Sequence, residues 1–271
     1  MFKQNRLFSR PEIKELDLDT RVQIEARVTD QLYADLSPDS FAEMDTRLDT
    51  YANEFPWRRY LFNHLGTLEG KKVLEIGCGL TMTPVVFALA GATVHAIDVA
   101  PQTVAKVCEF AKFKGVAGRV IGHVCPAEEL PFADGEFDIV YGKAALHHMR
   151  LDLAIPEVSR VMKPGGKGGF QDPLGHNVFL ELVRDYVAYR GKNTIKGTDL
   201  PFRMNDVHAV GRAFTRYTYR GFELFSMAPR ALALRRDSLL RQGLERFDGF
   251  LFAHIPYLER YGRLVVICVT K

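Results

Sequence analysis

Four cysteines are all that this 271-residue chain carries, and Cys78, Cys108, Cys125 and Cys268 form neither a Cys-x-x-Cys pair nor a metal-ligand spacing. That excludes a disulfide framework and a cysteine-built zinc site, and it fits reduced thiols in the cytoplasm. Long apolar runs are also missing. None approaches the roughly 18 residues of a membrane span, so no membrane partner is expected. The opening stretch MFKQNRLFSRPEIKELDLD lacks the apolar centre of a secretory signal. Charge of one sign is scarce too: the net is +3, although from Glu181 onward 16 Lys and Arg stand against 9 Asp and Glu. A basic face suits an anionic small molecule, but no basic stripe interleaved with aromatics accompanies it, which argues against nucleic acid. What remains is a composition of 47% hydrophobic and 25% charged residues, sufficient for one large core with decorations.

The first 70 residues read as helical. Val22, Ile24, Val28, Leu32 and Leu36 recur around charged positions, a second helix is expected over 41–51, and Pro56 suits the first turn of a third that ends at Gly66. From Lys72 the pattern alternates. Strands are expected over 72–76, 93–97, 119–124, 137–141 and 167–171, with helices over 103–114 and 154–162 and one opening at Thr83-Pro84, Thr83 as its cap. That rhythm implies a parallel sheet covered on both faces. Beyond Pro173 an apolar helical stripe over 177–190, a short helix over 206–214, a sixth strand over 222–226, a basic amphipathic helix over 231–247 and a buried strand over 264–269 complete the reading. The expected division is a helical cap (1–70), a cofactor-binding α/β core (71–173), a helical lid (174–215), and the remaining core strands with the basic helix (216–271).

The most informative segment is VLEIGCGL, residues 73–80, followed about 20 residues later by VHAIDV ending on Asp98. A strand, a glycine turn, a helix and a second strand ending in a carboxylate make half of a nucleotide-binding unit. The third glycine of the dinucleotide fingerprint is absent, and Met82 stands there. A pyrophosphate needs that close helix approach; an adenosyl ligand does not. The spelling Glu75-x-Gly77-x-Gly79 with Asp98, followed by AEELPFADGEFDIV over 127–140, resembles the class I S-adenosylmethionine-dependent methyltransferases. The resemblance covers about Lys71 to Asp172. It implies a Rossmann-like, doubly wound, seven-stranded and mostly parallel sheet with an antiparallel last strand, N-terminal helices and a helical lid insertion.

The same resemblance implies S-adenosylmethionine as cofactor and assigns its contacts: Gly77, Cys78 and Gly79 to the methionine moiety, Glu75 to its orientation, Asp98 and Val99 to the ribose side. Where the family carries Asp before Ala-Glu to hold the adenine amino group, this chain has Pro126, which offers neither carboxylate nor amide donor. Ala127 and Glu128 are left to hold the adenine. Lys143 ends the fourth strand beneath the methionine part, and Tyr51 is the expected aromatic contact from the N-terminal helices, where Tyr33 and Trp57 also lie. In the segment YGKAALHHM, His147 and His148 are candidate general bases, with pKa values near working pH. Relatives more often turn the second, His148, toward the cavity. Asp172, His176, Arg203, Asn205 and His208 follow the fifth strand and are placed to line an acceptor pocket or to serve structure. No metal is implied.

The activity this implies is methyl transfer to an O, N or C atom of a small-molecule acceptor, anionic if the basic excess near the lid faces it. The alternative is a protein of the same fold that binds S-adenosylmethionine without transferring its methyl, as a cyclisation or rearrangement catalyst or a regulatory module. Helical decorations at both ends also permit a homodimer.

Overall fold

The computed structural model describes residues 16–36, 40, 45–177, 200–227 and 238–271. Seven strands form one sheet: β1 (Lys72–Ile76), β2 (Thr93–Asp98), β3 (Val120–Val124), β4 (Phe137–Lys143), β5 (Met162–Pro173), β6 (Arg216–Phe222) and β7 (Leu264–Thr270). Their order is β3-β2-β1-β4-β5-β7-β6, with β7 inserted antiparallel between β5 and β6. The order reverses between β1 and β4, whose carboxyl ends lie side by side with Ile76 opposite Gly142. In an open α/β sheet that switch point is where a ligand crevice opens.

Helices cover both faces: α1 (Leu18–Leu32), α2 (Leu48–Asn53), α3 (Pro56–Leu65), α4 (Thr83–Leu89), α5 (Pro101–Phe113), α6 (Leu151–Val161), α7 (Met204–Arg212) and α8 (Leu239–His254). Proline's fixed φ opens α3 and α5, and Gly66 at φ 78° ends α3, as its sequence prescribes. One core layer gathers Tyr51, Phe62, Phe87, Phe110 and Tyr141; the other gathers Phe137, Leu146, Ile155, Phe170, Phe202 and Val207. Asp138 accepts the Lys72 N–H at 2.9 Å and a Lys163 Nζ bond at 2.8 Å, pinning the start of β1 to β4 and β5.

Several expected boundaries move. Met82, not Thr83, caps α4, so the Thr83 hydroxyl sits inside the first turn and points into the core. β5 starts five residues early, at Met162, because the Lys-Pro-Gly-Gly turn bulges within the strand and shifts its register against Phe137 and Ile139. The sixth strand is Arg216–Phe222, not 222–226. Beyond Phe222 the chain turns, and the Leu224, Phe225 and Ser226 amides all donate to Asp248. The expected helix over 41–51 is described only as α2, the basic helix over 231–247 only from Leu239 as α8, and the apolar stripe over 177–190 lies outside the described residues beyond Asn177. On β2 and β3, His95 and His123 have nearly coplanar rings (9°), centroids 5.1 Å apart and facing nitrogens at 2.9 Å. That is the spacing of an in-plane N–H···N bond rather than of stacked rings.

Candidate active site

The turn after β1 is built from two left-handed residues, Gly77 at φ 56° and Gly79 at φ 48°. A side chain at Gly77 would begin 2.7 Å from the Ala145 Cβ, and one at Gly79 would begin 3.3 Å from the Tyr33 hydroxyl. The left-handed conformation calls for glycine at both positions, and at Gly77 the closeness of β4's continuation requires it as well. Between them the Cys78 amide donates to the Ile97 carbonyl at 2.9 Å, and its buried thiol is pushed well above the ordinary range by burial.

Glu75 lies on the neighbouring face of β1 at 1% exposure. Its Oε1 accepts from the Thr81 hydroxyl at 3.4 Å, while the buried Oε2 has no hydrogen-bond partner. Burial pushes the carboxyl up to about 8, against the opposing pull of the Lys143 charge and the Thr81 bond. A buried carboxylate oxygen without a donor is costly. A ligand ammonium is the group that would satisfy it, so the site fits the amino-acid end of an adenosyl cofactor. From Glu75 a polar chain runs through Thr81 and Thr83 to the Tyr51 hydroxyl, 2.6 Å from Thr83 Oγ1. The Arg58 guanidinium lies 3.8 Å over the Tyr51 ring and pairs with Glu54. Lys143, on the same sheet face, has its pKa lowered by burial and then by the Arg58 charge.

Asp98 ends β2 nearly buried. It accepts the Gly79 amide at 2.9 Å through Oδ2 and the Ala100 amide at 3.0 Å through Oδ1, with Val99 partly exposed between. Burial raises its pKa, opposed by these backbone donors. The carboxylate is therefore fixed in place beside the glycine turn. Ala127 is buried, and Glu128 accepts the Arg150 amide at 2.7 Å, with burial raising its pKa.

After β4 the chain passes through Ala144 at φ 52°, a left-handed conformation that costs a non-glycine residue about 1–3 kcal/mol. Its amide donates to the Gln171 carbonyl at 2.6 Å. This strained corner folds Leu146–His148 into a 3-10 turn over the carboxyl ends of β4 and β5. His147 is buried, its Nδ1 2.7 Å from Asp172 Oδ1, which also accepts the His147 amide at 3.2 Å. Asp172 is fully buried and its Oδ2 has no partner. The His148 ring packs on His147 with centroids 4.0 Å apart, and its Nδ1 stands 3.3 Å from Glu25 Oε1.

The structure thus gathers Glu75, Gly77, Cys78, Gly79, Asp98, Val99, Lys143, His147, His148 and Asp172 at one end of the sheet. Other candidates make contacts around α7 and in the N-terminal helices. The Arg203 amide donates to Asp206 and His176 accepts the Met204 amide, both at the start of α7, where Asn205 is exposed; His208 bonds the Tyr217 hydroxyl, and Trp57 stacks on Phe55. Sequence reasoning missed Arg21, Glu25, Asp30 and Arg58. The signal for the first two was a polar i, i+4 pair on a helix read for its apolar residues. Among the described residues no group of three His, Cys, Asp or Glu is arranged to hold a metal, and no helix is long and apolar enough to cross a membrane.

Comparison with known proteins places this geometry. Residues 74–169 match a methyltransferase domain family. An uncharacterized methyltransferase of Synechocystis, sll0829, is 33% identical over 188 residues, covering 57% of this chain and 85% of that protein. The 27-O-demethylrifamycin SV methyltransferase of Amycolatopsis mediterranei is 32% identical over 125 residues, 43% of this chain and 46% of that one. Among solved structures, geranyl diphosphate C-methyltransferase from Streptomyces coelicolor, in complex with S-adenosyl-L-homocysteine, has the same fold at a TM-score of 0.61. Its identity is 14% over 92% of this chain and 97% of the other.

Proposed function

The chain belongs to the class I S-adenosylmethionine-dependent methyltransferases, and from that premise we propose that it methylates an O, N or C atom of a small anionic molecule held at the carboxyl ends of β4 and β5. The observation that carries this reading is the buried His147–Asp172 pair at 2.7 Å, seated directly beyond the glycine turn whose Gly77 packs on Ala145. Bound S-adenosylmethionine supplies a methyl group already activated on a sulfonium, so the residues have to bind, orient and accept a proton.

Glu75 receives the methionine ammonium on its unpartnered Oε2, and Lys143 faces the adjacent carboxylate. Gly77 and Gly79 keep the turn free of side chains beside the reacting end, and the Cys78 thiol between them is buried. Asp98, with Val99, takes the ribose hydroxyls on the outer lone pairs of a carboxylate whose other contacts are backbone amides. Ala127 and Glu128 border the adenine in place of the aspartate that Pro126 lacks. Tyr51 reaches the cofactor end through the Thr83–Thr81 hydroxyl chain to Glu75, with the Arg58 guanidinium 3.8 Å over its ring. The basic excess from Glu181 onward is what supports an anionic acceptor; at the glycine turn itself Arg58 pairs with Glu54 and Lys143 stands near Glu75.

His147 is the base in this reading. Its Nδ1–H donates to Asp172, which sets the basic lone pair on Nε2. As the acceptor atom takes the methyl, the acceptor proton passes to that nitrogen. His148, 4.0 Å away, flanks the acceptor. The shorter and more buried carboxylate pairing favours His147 over His148 for the proton transfer. Candidate anionic metabolites screened by mass spectrometry should yield S-adenosylhomocysteine together with a product heavier by one methylene. With an acceptor in hand, His147→Asn should lower turnover about 10²–10⁴-fold with cofactor binding retained. A rate near that of the wild type would remove His147 from the chemistry.

A further inference from the structure

Outward from the switch point the sheet runs β1, β2, β3, and the parts of an adenosyl ligand fall along that order. Glu75 on β1 takes the amino-acid end and Asp98 at the end of β2 takes the ribose, so the base is left to the end of β3. Val124 lies opposite Asp98 in the strand register, and the Cys125 amide donates to the Asp98 carbonyl at 3.1 Å. What the chain offers a base just beyond that point is one-sided. Ala127 is 2% exposed, and among the described residues its amide donates to nothing. A buried amide without an acceptor is rare in a folded protein. Acceptors, by contrast, are absent or already engaged. Pro126 has no polar side chain, and its carbonyl accepts the Glu129 amide at 3.4 Å. The half-buried Cys125 thiol is pushed up to about 11 by burial and then by the Asp98 charge, so it stays protonated and accepts only weakly. Glu128 is committed to the start of α6, where its Oε1 accepts the Arg150 amide at 2.7 Å. Glu25, whose charge reaches Asp98, meets the His148 ring at 3.3 Å. The rim around these groups is open, with Val124 at 55% exposure and Glu129 exposed.

Adenine presents two groups on its pairing edge, a ring nitrogen that accepts and a 6-amino group that donates. The free Ala127 amide answers the first. Nothing built into the rim answers the second, and at an open rim an amine keeps its water instead of being stranded. We propose that this enzyme reads the adenine of its cofactor through the ring nitrogen alone, on the Ala127 amide, and leaves the 6-amino group to solvent over Pro126. Pro126 is then a specificity-determining residue: it makes the base site indifferent to what stands at position 6. The proposal rests on the reading of Asp98 as the ribose ligand. Adenosyl cofactors altered at that position are accepted as readily as the natural one, because the contacts that orient the methionine end and the ribose are unchanged by the alteration. An aspartate in place of Pro126 would put an acceptor beside the amine and end that indifference.

The test is a calorimetric titration of the full chain with three ligands. They are S-adenosylhomocysteine, its 6-deamino analogue (hydrogen in place of the amine) and its 1-deaza analogue (carbon in place of ring nitrogen 1). In the wild type the deamino analogue should bind within about threefold of the parent. The 1-deaza analogue should bind about tenfold more weakly, the loss expected when a buried amide is left without its acceptor. In Pro126→Asp the deamino analogue should fall about tenfold behind the parent, because the new carboxylate bonds only a ligand that has the amine. Ratios are compared within one variant, so a general weakening by the substitution cancels. The two wild-type ratios decide the question whatever Pro126→Asp does to folding. A wild type that binds the deamino analogue about tenfold more weakly than the parent overturns the proposal, most directly if Glu128→Gln abolishes the difference. A 1-deaza analogue bound as tightly as the parent also overturns it, and a folded Pro126→Asp that gains no discrimination overturns the role given to Pro126. Failure of the ribose reading has another signature: Asp98→Ala would leave the affinity for all three ligands unchanged.

Discussion

Asp98 and Glu75 are both buried carboxyls at the ends of adjacent strands, yet they are held in opposite ways. Asp98 has two backbone amides at 2.9 and 3.0 Å that favour its ionised form, whereas Glu75 has one long hydroxyl bond and an oxygen with no donor. Asp98→Ala removes a preorganised acceptor, and S-adenosylmethionine binding should weaken by about 1–3 kcal/mol in a calorimetric titration. Unchanged affinity would mean that the ribose sits elsewhere. Glu75→Gln should act in two directions at once. It removes a carboxyl that burial holds protonated to about 8, so the ligand-free protein should melt higher at pH 8–9 than the wild type. It also removes the partner of the ammonium, so cofactor affinity should fall. A variant that loses stability and affinity together would contradict the assignment of Oε2 to the ligand.

At the scale of elements, Gly77 shows how a turn and a strand end are fitted to one another. Gly77→Ala would put a methyl 2.7 Å from Ala145 in a left-handed conformation, and should cost about 1–3 kcal/mol in chemical denaturation. Adding Ala145→Gly should return part of that loss, since it removes the steric share and leaves the conformational one. The elements around this turn were readable in the sequence because every level agreed: an apolar strand, glycines where φ is positive, and proline in the first turn of α3 and α4. β6 was not readable, because Arg216 to Phe222 is an outer strand whose first half is polar and only half-buried, while the apolar residues just beyond Phe222 form a turn tied to Asp248. The glycine turn of the candidate site was legible for the same reason as β1, since Glu75 to Gly79 form one contiguous motif. The histidine half was legible only as residues. Asp172, 25 residues beyond His147, and Glu25, 123 residues before His148, join them through the sheet order and the packing of α1, which no local pattern encodes. On α1 the apolar positions drew attention, whereas its site-facing stripe is Arg21 and Glu25.

For the whole molecule, one half-buried and one buried group shape the pH dependence of stability with opposite signs. His95 is held neutral by burial and by the Lys72 charge, its pKa lowered to about 4. Its share of stability is therefore present above the unfolded value near 6.5 and is lost as pH falls through 4. Glu75 is raised, so its share is present below the unfolded value near 4.5 and is lost as pH rises through about 8. Thermal melts of the ligand-free protein should show both limbs. Saturating S-adenosylmethionine should flatten the alkaline one alone, because its ammonium accepts an ionised Glu75 while the His95–His123 pair lies away from the cofactor turn. A cofactor that left the alkaline limb in place would separate Glu75 from the ligand. One helix, α1, leads into Tyr33 over Gly79 and holds the His148 carbonyl through Arg21, so the glycine turn and the histidine turn share a single support.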